Sequence, residues 1–592
     1  MFINKNTLNL KKMDIEDSGN LIQNIISEKA QEKPKKKHQI ITKNKTTTKK
    51  NPSKKNYRIY IKTFGCSHNA SDSEYMAGIL SSQGYEIVPS LEQSDLTIIN
   101  SCTVKSPSQA AFLNSVIKSK NFNKKLVVGG CVPQAERNLP GLENVSIVGV
   151  SQIDKIDYIV EKTLEGNVVR FLSNKTLPSL LLPKIRRNKY IEIIPISQGC
   201  LGSCTYCKTK QARGKLISYP IEHIVQACKH AWENNAKELW ITSEDTGVYG
   251  RDIGTNLPNL LIEILKEIPS DVMIRIGMAN PPYILENVNN MIKVLNHPNV
   301  YSFIHIPVQS GSNAVLDKML REYTIEEFSF LCDKFIEGVP NITIATDIIC
   351  GFPTETKENF EETLNLVEKY KFPVINISQF YPRPGTVAAR WKKIDTKEVH
   401  NRSKALAELF GSYSHYKHLL NTIQRVWVHD INEEEKNKEE NMMVAHNKSY
   451  VKILVPKDEN LYGKELIVKI TQIHKWHCVG EIIDKNPPPI KVNYEEYFKD
   501  ILRQKEIMIK NYDNDLGRFN NSINGDTYSI HDTFKKKINK KIKDEDNDLR
   551  KYKYFLENKS GKRMKLIGAF MYAGTIFYFI FTILKLFKFK FM

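Results

Sequence analysis

The residues most able to do chemistry in this chain lie in Gln198-Gly199-Cys200-Leu201-Gly202-Ser203-Cys204-Thr205-Tyr206-Cys207. Three cysteines spaced C-x3-C-x2-C share a polar, glycine-containing loop. Thiolates so close together can wrap one side of an iron–sulfur cube, and a three-ligand set leaves one iron without a protein ligand. A zinc knuckle competes with this reading, as does chance clustering. Structural zinc takes four protein ligands, and no fourth Cys or His stands at knuckle spacing here.

A second set of cysteines is scattered in sequence but regular in context. From Tyr57 the pattern alternates between strands and helices. The expected strands are Arg58–Thr63, Asp95–Asn100, Leu126–Gly130 and Val145–Val150, with helices at Asp72–Gln83 and Ser108–Lys118. That order implies a parallel sheet with helices packed on it. Cys66, Cys102 and Cys131 each fall just past a strand's carboxyl end, and those ends share the edge where such sheets bind ligands. A buried free thiol explains any one of them. Three at equivalent positions would converge.

A longer βα series follows a linker at residues 165–189. Its candidate strands are Ile191–Ile196, Glu238–Thr242, Val272–Gly277, Tyr301–His305, Ile342–Ile349 and Val374–Phe380. Helices fall between them at Glu222–Glu233, Leu257–Glu267, Ile284–Leu295 and Lys357–Tyr370. Six such repeats suggest an open, partial TIM-like barrel, and the C-x3-C-x2-C loop directly after its first strand would sit at the carboxyl face, where barrel chemistry belongs.

Composition bounds the partners. The chain has 592 residues and a formal net charge of +20. Its length suits about three or four domains. That charge is too large for an ordinary enzyme of small molecules and points to a polyanion or an anionic membrane surface. Ten cysteines are too sparse for a secreted disulfide scaffold and argue for a reducing compartment.

Residues 1–56 form a Lys/Asn-rich basic leader with no core-forming apolar run, so the expectation is a disordered tail, with a targeting peptide or an RNA-contacting arm as lesser readings. Residues 412–483 turn to β-type alternation, with strands at Val426–His429, Val451–Val455 and Leu466–Thr471 and a charged insert at Asn432–Asn441. Residues 484–563 read as a charged low-complexity spacer. Leu566–Leu584 then runs 19 residues without a charge. That is long enough to span a bilayer as a helix, which makes 564–592 a membrane anchor.

Several segments together resemble one family. They are Lys62-Thr63-Phe64-Gly65-Cys66-Ser67-His68-Asn69, Asn100-Ser101-Cys102-Thr103-Val104, Gly129-Gly130-Cys131-Val132-Pro133-Gln134 and Cys204-Thr205-Tyr206-Cys207-Lys208. They continue with Ser243-Glu244-Asp245-Thr246-Gly247, His305-Ile306-Pro307-Val308-Gln309-Ser310-Gly311-Ser312, Gly351-Phe352-Pro353 and Tyr381-Pro382-Arg383-Pro384-Gly385-Thr386. The set is similar to the methylthiotransferases among radical S-adenosylmethionine (SAM) enzymes, and to their eukaryotic and archaeal tRNA branch, over roughly residues 57–483.

The resemblance implies an α/β fold: a Rossmann-like parallel-sheet domain at 57–164, a partial (βα)6 radical SAM barrel at 190–411 and a small TRAM β-barrel at 412–483 that grips tRNA. It implies two [4Fe-4S] clusters, one on Cys200, Cys204 and Cys207 and one on Cys66, Cys102 and Cys131. SAM would serve as radical source at the first and as methyl donor. The product would be the 2-methylthio form of N6-threonylcarbamoyladenosine next to the anticodon. Isopentenyladenosine in tRNA and a ribosomal protein side chain are the alternative substrates, and a membrane-tethered tRNA-binding protein without catalysis is the alternative class.

The resemblance also makes Ser243, Glu244, Gln309 and Ser310 candidate SAM contacts, although any polar group at a barrel mouth looks similar. The sequence is silent on which electron donor, of reductase or flavodoxin/ferredoxin type, serves the chain. The expectation is a monomer, tail-anchored with the catalytic domains in the cytosol, and the resemblance to animal members of the branch implies the endoplasmic reticulum membrane. Arg213 can meet a carboxylate or phosphate as a bidentate fork, or pair with an acid on the surface. His68 and His305 read as structural histidines, and Cys228, Cys332, Cys350 and Cys478 as structural thiols.

Overall fold

A computed structural model of the chain describes residues 57–103, 106–173, 176–430 and 442–489. The basic leader, the charged insert, the spacer and the apolar run at 566–584 lie outside the described residues. Among those described, no helix is long and apolar enough to cross a membrane.

The N-terminal unit is an α/β layer. Its elements are β1 (Arg58–Thr63), α1 (Ser67–Ser82), β2 (Glu86–Val88), β3 (Leu96–Ser101), α2 (Ser106–Asn121), β4 (Lys125–Gly130), α3 (Cys131–Ala135), β5 (Ser146–Val148), α4 (Ile156–Leu164) and β6 (Arg170–Phe171). The strands form one parallel sheet in the order β2-β1-β3-β4-β5-β6. Strands β3, β4 and β5 are buried on nearly every residue, as strands covered on both faces are. The four expected strands are present, and two short edge strands join them. The last of these comes from the stretch read as linker.

Helix α1 starts at Ser67 rather than at Asp72. Its first two turns bury His68, Asn69, Ser71, Asp72 and Glu74. Polar side chains turned inward erase the apolar periodicity by which a helix is read from sequence. They are buried because α1 lies between the sheet and the second unit: the Ser71 hydroxyl donates to the Ile193 carbonyl at 3.2 Å. The linker is packed as well. Lys184 Nζ is buried between Glu74 at 3.3 Å and Glu192 at 2.5 Å, which joins α1 to the first strand of the barrel.

That barrel is open. It comprises β7 (Ile191–Pro195), the short pair β8 (Ser197–Gln198) and β9 (Ile217–Ser218) flanking α5 (Thr209–Arg213), then α6 (Ile221–Glu233), β10 (Glu238–Thr242), α7 (Leu257–Glu267), β11 (Met273–Ile276), α8 (Pro281–Leu285), α9 (Val288–Asn296), β12 (Phe303–His305), α10 (Asn313–Lys318), α11 (Ile325–Gly338), β13 (Thr343–Cys350), α12 (Lys357–Tyr370), β14 (Val374–Gln379) and α13 (Thr396–Ser412). Two parallel three-stranded sheets, β11-β10-β7 and β12-β13-β14, meet through a single bridge between Ile274 and Val300. The one helix expected over 284–295 is two, broken at Asn287, whose side-chain amide donates to the Tyr283 carbonyl. Helices α7 and α12 run over the expected residues, each opened by a side-chain cap, from Asn256 and Thr356.

A five-stranded closed barrel follows, ordered β15-β16-β17-β19-β18, from β15 (Ile423–Asp430), β16 (Met442–Asn447), β17 (Lys452–Pro456), β18 (Glu465–Ile473) and β19 (Cys478–Asp484). Strands β16 and β19 were not expected from the sequence. This small barrel docks on the amino-terminal ends of the large barrel's strands. Ser302 N donates to the Lys448 carbonyl, the Thr343 hydroxyl to the Ser449 carbonyl, and Trp427 and Tyr450 pack on Tyr301 and Phe303. Glu238, 1 % exposed at the start of β10, accepts from Tyr301 at 3.0 Å and Trp240 at 2.6 Å and stands 3.3 Å from His429 Nδ1. The large barrel's floor is thus closed by the small one.

The seam between α1 and the linker leaves no space for a side chain at Gly78, where a Cβ would lie 2.3 Å from backbone atoms of Pro183 and Lys184. Gly78→Ala is expected to cost about 1–3 kcal/mol through overpacking, read as a lower denaturant midpoint. An unchanged midpoint would show that the linker does not lie across α1 in solution.

Candidate active site

Both three-cysteine sets stand where strands end. Cys66 follows β1, Cys102 follows β3 and Cys131 opens α3 directly after β4. Two glycines make their convergence possible. Gly65 has φ +101°, and a Cβ there would lie 2.6 Å from Cys102 Sγ; Gly130 has φ +84°, and its Cβ would meet the Ser101 carbonyl at 2.3 Å. Only a residue without a side chain lets these turns approach so closely. Burial pushes the Cys66 thiol well up, and the neighbouring Cys102 and Cys131 push it further. Burial raises Cys131 too, against the pull of Arg213.

The second set lies at the carboxyl end of β7. A Cβ on Gly202 would touch Cys200 Sγ at 3.6 Å and Cys204 Sγ at 3.7 Å, so the loop folds as a cradle beneath two of its sulfurs. The Cys200 thiol is pushed up to about 12 by burial, with Asp245 adding to it. Arg321 Nη1 donates to Cys204 Sγ at 3.1 Å, and Thr209 N donates to Cys207 Sγ at 3.4 Å. Tyr206, 8 % exposed, fastens the loop to a wall of Val315, Met319, Phe352 and Ala388.

The donor sets fit iron–sulfur clusters. Burial makes the thiols of Cys66, Cys131, Cys200 and Cys204 resist ionising alone, and the positive charge of iron would turn ligating thiols into thiolates. Among the described residues no three His, Cys, Asp or Glu side chains converge closely enough to hold one metal ion.

The two sets are neighbours, joined across the seam between the units. Helix α3, which carries Cys131, packs on α5, with Cys131 against Ala212. Lys208, 1 % exposed, pairs with Glu136. The hydroxyls of Ser67 and Thr242 lie 2.8 Å apart, and Gln198 Nε2 donates to Ser151 Oγ at 2.7 Å. At the centre, Arg213 Nη2 donates to Asn69 Oδ1 and Asp72 Oδ2, both at 2.7 Å, while its Nε lies 3.4 Å from both Cys131 Sγ and Glu244 Oε1. Of the two sequence readings of Arg213, pairing with an acid is the one seen, but in the interior and not on the surface.

Glu244 is the other half of this junction. Its carboxylate accepts from Gly199 N at 2.8 Å and stands 3.0 Å from His68 Nδ1. Burial alone would raise this carboxyl; His68, Arg213 and Gly199 outweigh it and hold it below its usual value. Glu244 therefore has its protein partners within the seam. Ser310 is wholly buried, with its hydroxyl 3.4 Å from Thr363 Oγ1. Ser243 Oγ accepts from Asp245 N, and Gln309, at φ +67°, pairs its backbone with β13. Sequence reading passed over Asp245, Asn280 and Arg321, which form a chain from the mouth of β10 to Cys204: Asn280 donates to Asp245 Oδ2 at 2.7 Å and accepts from Arg321. Asp245 shares a quoted motif with Ser243 and Glu244, which is the signal that could have found it.

The remaining residues follow their sequence readings. His305 Nε2 lies 3.0 Å from Asp347 within the barrel. Cys228, Cys332 and Cys350 are buried in the large barrel's core and Cys478 in the small one's. None of the ten cysteines is in a disulfide.

Residues 58–147 match the family described as uncharacterized protein family UPF0004, and residues 194–367 match the Radical SAM superfamily. The chain is 51 % identical over 431 residues to the threonylcarbamoyladenosine tRNA methylthiotransferase of Xenopus laevis, covering 72 % of this chain and 77 % of that one. It is 49 % identical over 431 residues to the Homo sapiens protein of the same name, at 72 % and 74 % coverage. A probable threonylcarbamoyladenosine tRNA methylthiotransferase of Pyrococcus horikoshii is 36 % identical over 431 residues, at 72 % and 99 %. With paired cysteine sets, an open barrel and relatives of this identity and coverage, the chain belongs to the threonylcarbamoyladenosine tRNA methylthiotransferase family of radical SAM enzymes.

Proposed function

We propose that this chain converts N6-threonylcarbamoyladenosine next to the anticodon of tRNA into its 2-methylthio form, using SAM and two [4Fe-4S] clusters. The observation that carries this reading is the pairing of two three-thiol sites across one buried seam. Once bound, cluster and SAM together supply the homolytic chemistry that an unactivated aromatic C–H bond demands and side chains cannot provide.

The chain's own residues hold and shield. Cys200, Cys204 and Cys207 ligate one cluster, and Cys66, Cys102 and Cys131 the other. Arg321 and Thr209 stabilise sulfurs of the first set through N–H···S contacts. Tyr206 and its apolar wall keep water from one side of that site. Ser243 and Gln309 stay candidate SAM contacts. The roles proposed for Glu244 and Ser310 are to position their neighbours, since each engages protein groups.

The small barrel contributes the tRNA grip, supported by its closed form and by Lys464 and Lys469 on its surface. Because it docks at the floor of the large barrel and the cysteines lie at the mouth, a tRNA that engages both runs along the flank. The apolar run Leu566–Leu584 supports a membrane anchor, and the resemblance supports the endoplasmic reticulum with the catalytic units in the cytosol.

Three outcomes test this reading. Mass spectrometry of tRNA nucleosides after loss of the protein is expected to show 2-methylthio-N6-threonylcarbamoyladenosine replaced by its unthiolated precursor; an unchanged level refutes the substrate. Cys200→Ala is expected to abolish SAM cleavage, whereas Cys102→Ala leaves cleavage running and stops product formation. Methylthiolated product from Cys102→Ala would refute the division of labour. Deleting residues 564–592 should move the protein from the membrane pellet to the supernatant, and retention in the pellet refutes the anchor.

A further inference from the structure

Two guanidiniums touch cysteine sulfurs among the described residues: Arg321 at Cys204 and Arg213 at Cys131. Arg213 differs in its depth and in its connections. It is 2 % exposed and takes partners from both units: Asn69, Asp72 and Cys131 on one side, Glu244 on the other. Through Glu244 it reaches Gly199 N, the backbone next to Cys200. One continuous polar chain thus runs from the loop of the first cysteine set to a sulfur of the second. Arg213 Nη1 is buried and has no hydrogen-bond partner among the described residues, so its two N–H groups remain for a group that the site receives.

An isolated buried charge is too costly to persist unless paired. Asp72 alone would satisfy that need on the side of Nη2. The bond from Nε to Cys131 Sγ therefore does something beyond neutralising the guanidinium. Donors to ligating sulfur and nearby positive charge both favour the reduced form of a cluster. The planar fork also fixes the angle between the Asn69–Asp72 edge and the Cys131–Glu244 edge, which a flexible ammonium cannot do.

We infer that Arg213 is a positioning residue that couples the two three-cysteine sites: it raises the reduction potential of the cluster on Cys66, Cys102 and Cys131 and holds that cluster in place against the loop of Cys200. This rests on the two-cluster reading above. It assigns no step of the reaction to Arg213. It makes the seam between the units a determinant of the second cluster's electronics.

Arg213→Lys in the full chain keeps the charge and loses the fork. By EPR-monitored redox titration its second cluster is expected at a more negative potential, with both clusters still counted by Mössbauer spectroscopy. SAM cleavage to 5′-deoxyadenosine persists while methylthiolated product falls about 10–100-fold. Ser151→Ala, which removes the neutral contact to Gln198 in the same seam, is expected to lower stability without moving the potential. An unmoved potential in Arg213→Lys, or an equal shift in Ser151→Ala, overturns the inference. A check that leaves Arg213 itself intact uses Cys200→Ala carrying 15N-arginine: pulsed EPR of its remaining cluster is expected to show a weak 15N coupling, and its absence overturns the inference. A wild-type chain with only one cluster refutes the two-cluster reading itself, a result distinct from all of these.

Discussion

The buried ionic seam between the two α/β units is the constraint on which the rest of this structure depends. Two three-thiol sites come from separate units, and their separation is set only by how the units dock. An apolar interface would bring them together but would tolerate sliding. Charges buried with specific partners do not, because any shift strands an ion without its counterion. Arg213, Asp72, Glu244 and His68 occupy this seam's centre, with Lys208–Glu136 at its flank. The polar first turns of α1 follow from this role, and so does the close packing that glycine permits at the ends of β1 and β4.

The same device recurs at the other seams. Lys184 between Glu74 and Glu192 joins α1, the linker and β7. Glu238 with Tyr301, Trp240 and His429 ties the small barrel to the large one's floor. Arg275 lies between the rings of Trp240, Phe303 and Tyr450 at that joint. Each seam spends a buried charge on registry where hydrophobic contact alone would leave the angle loose. Ordinary cores remain apolar: the large barrel's interior is built from Ile, Leu, Val and Phe.

Openness gives the large barrel its working shape. Six strands in two sheets, bridged at one point, leave a side where a bulky substrate can approach the mouth. The small barrel closes the opposite end. Mouth and floor are separated by the length of the strands, so whatever engages both ends is an extended molecule.

What the sequence determined by itself was the chemistry and the order of elements. Six cysteines at strand ends, the motifs around them and the 3.6-residue periodicity of helices such as α7 and α12 are local, and local patterns survive in one dimension. The strands bearing Cys66, Cys102, Cys131 and Cys200 were legible for that reason. Only the tertiary structure decided what required partners distant in sequence. The true start of α1 was hidden because its polar residues face another unit. Strands β16 and β19 were hidden because a charged insert and a glycine-containing stretch mask their alternation. Glu244 reads as a mouth residue in sequence, yet docking gave it His68 and Arg213, from about 30 to 180 positions away, as partners. From sequence Arg213 reads as a fork for a carboxylate or phosphate, or as the partner of a surface acid. Its partners were settled by the burial of a charge that can exist in the interior only where Asp72, Glu244 and a cysteine sulfur meet it.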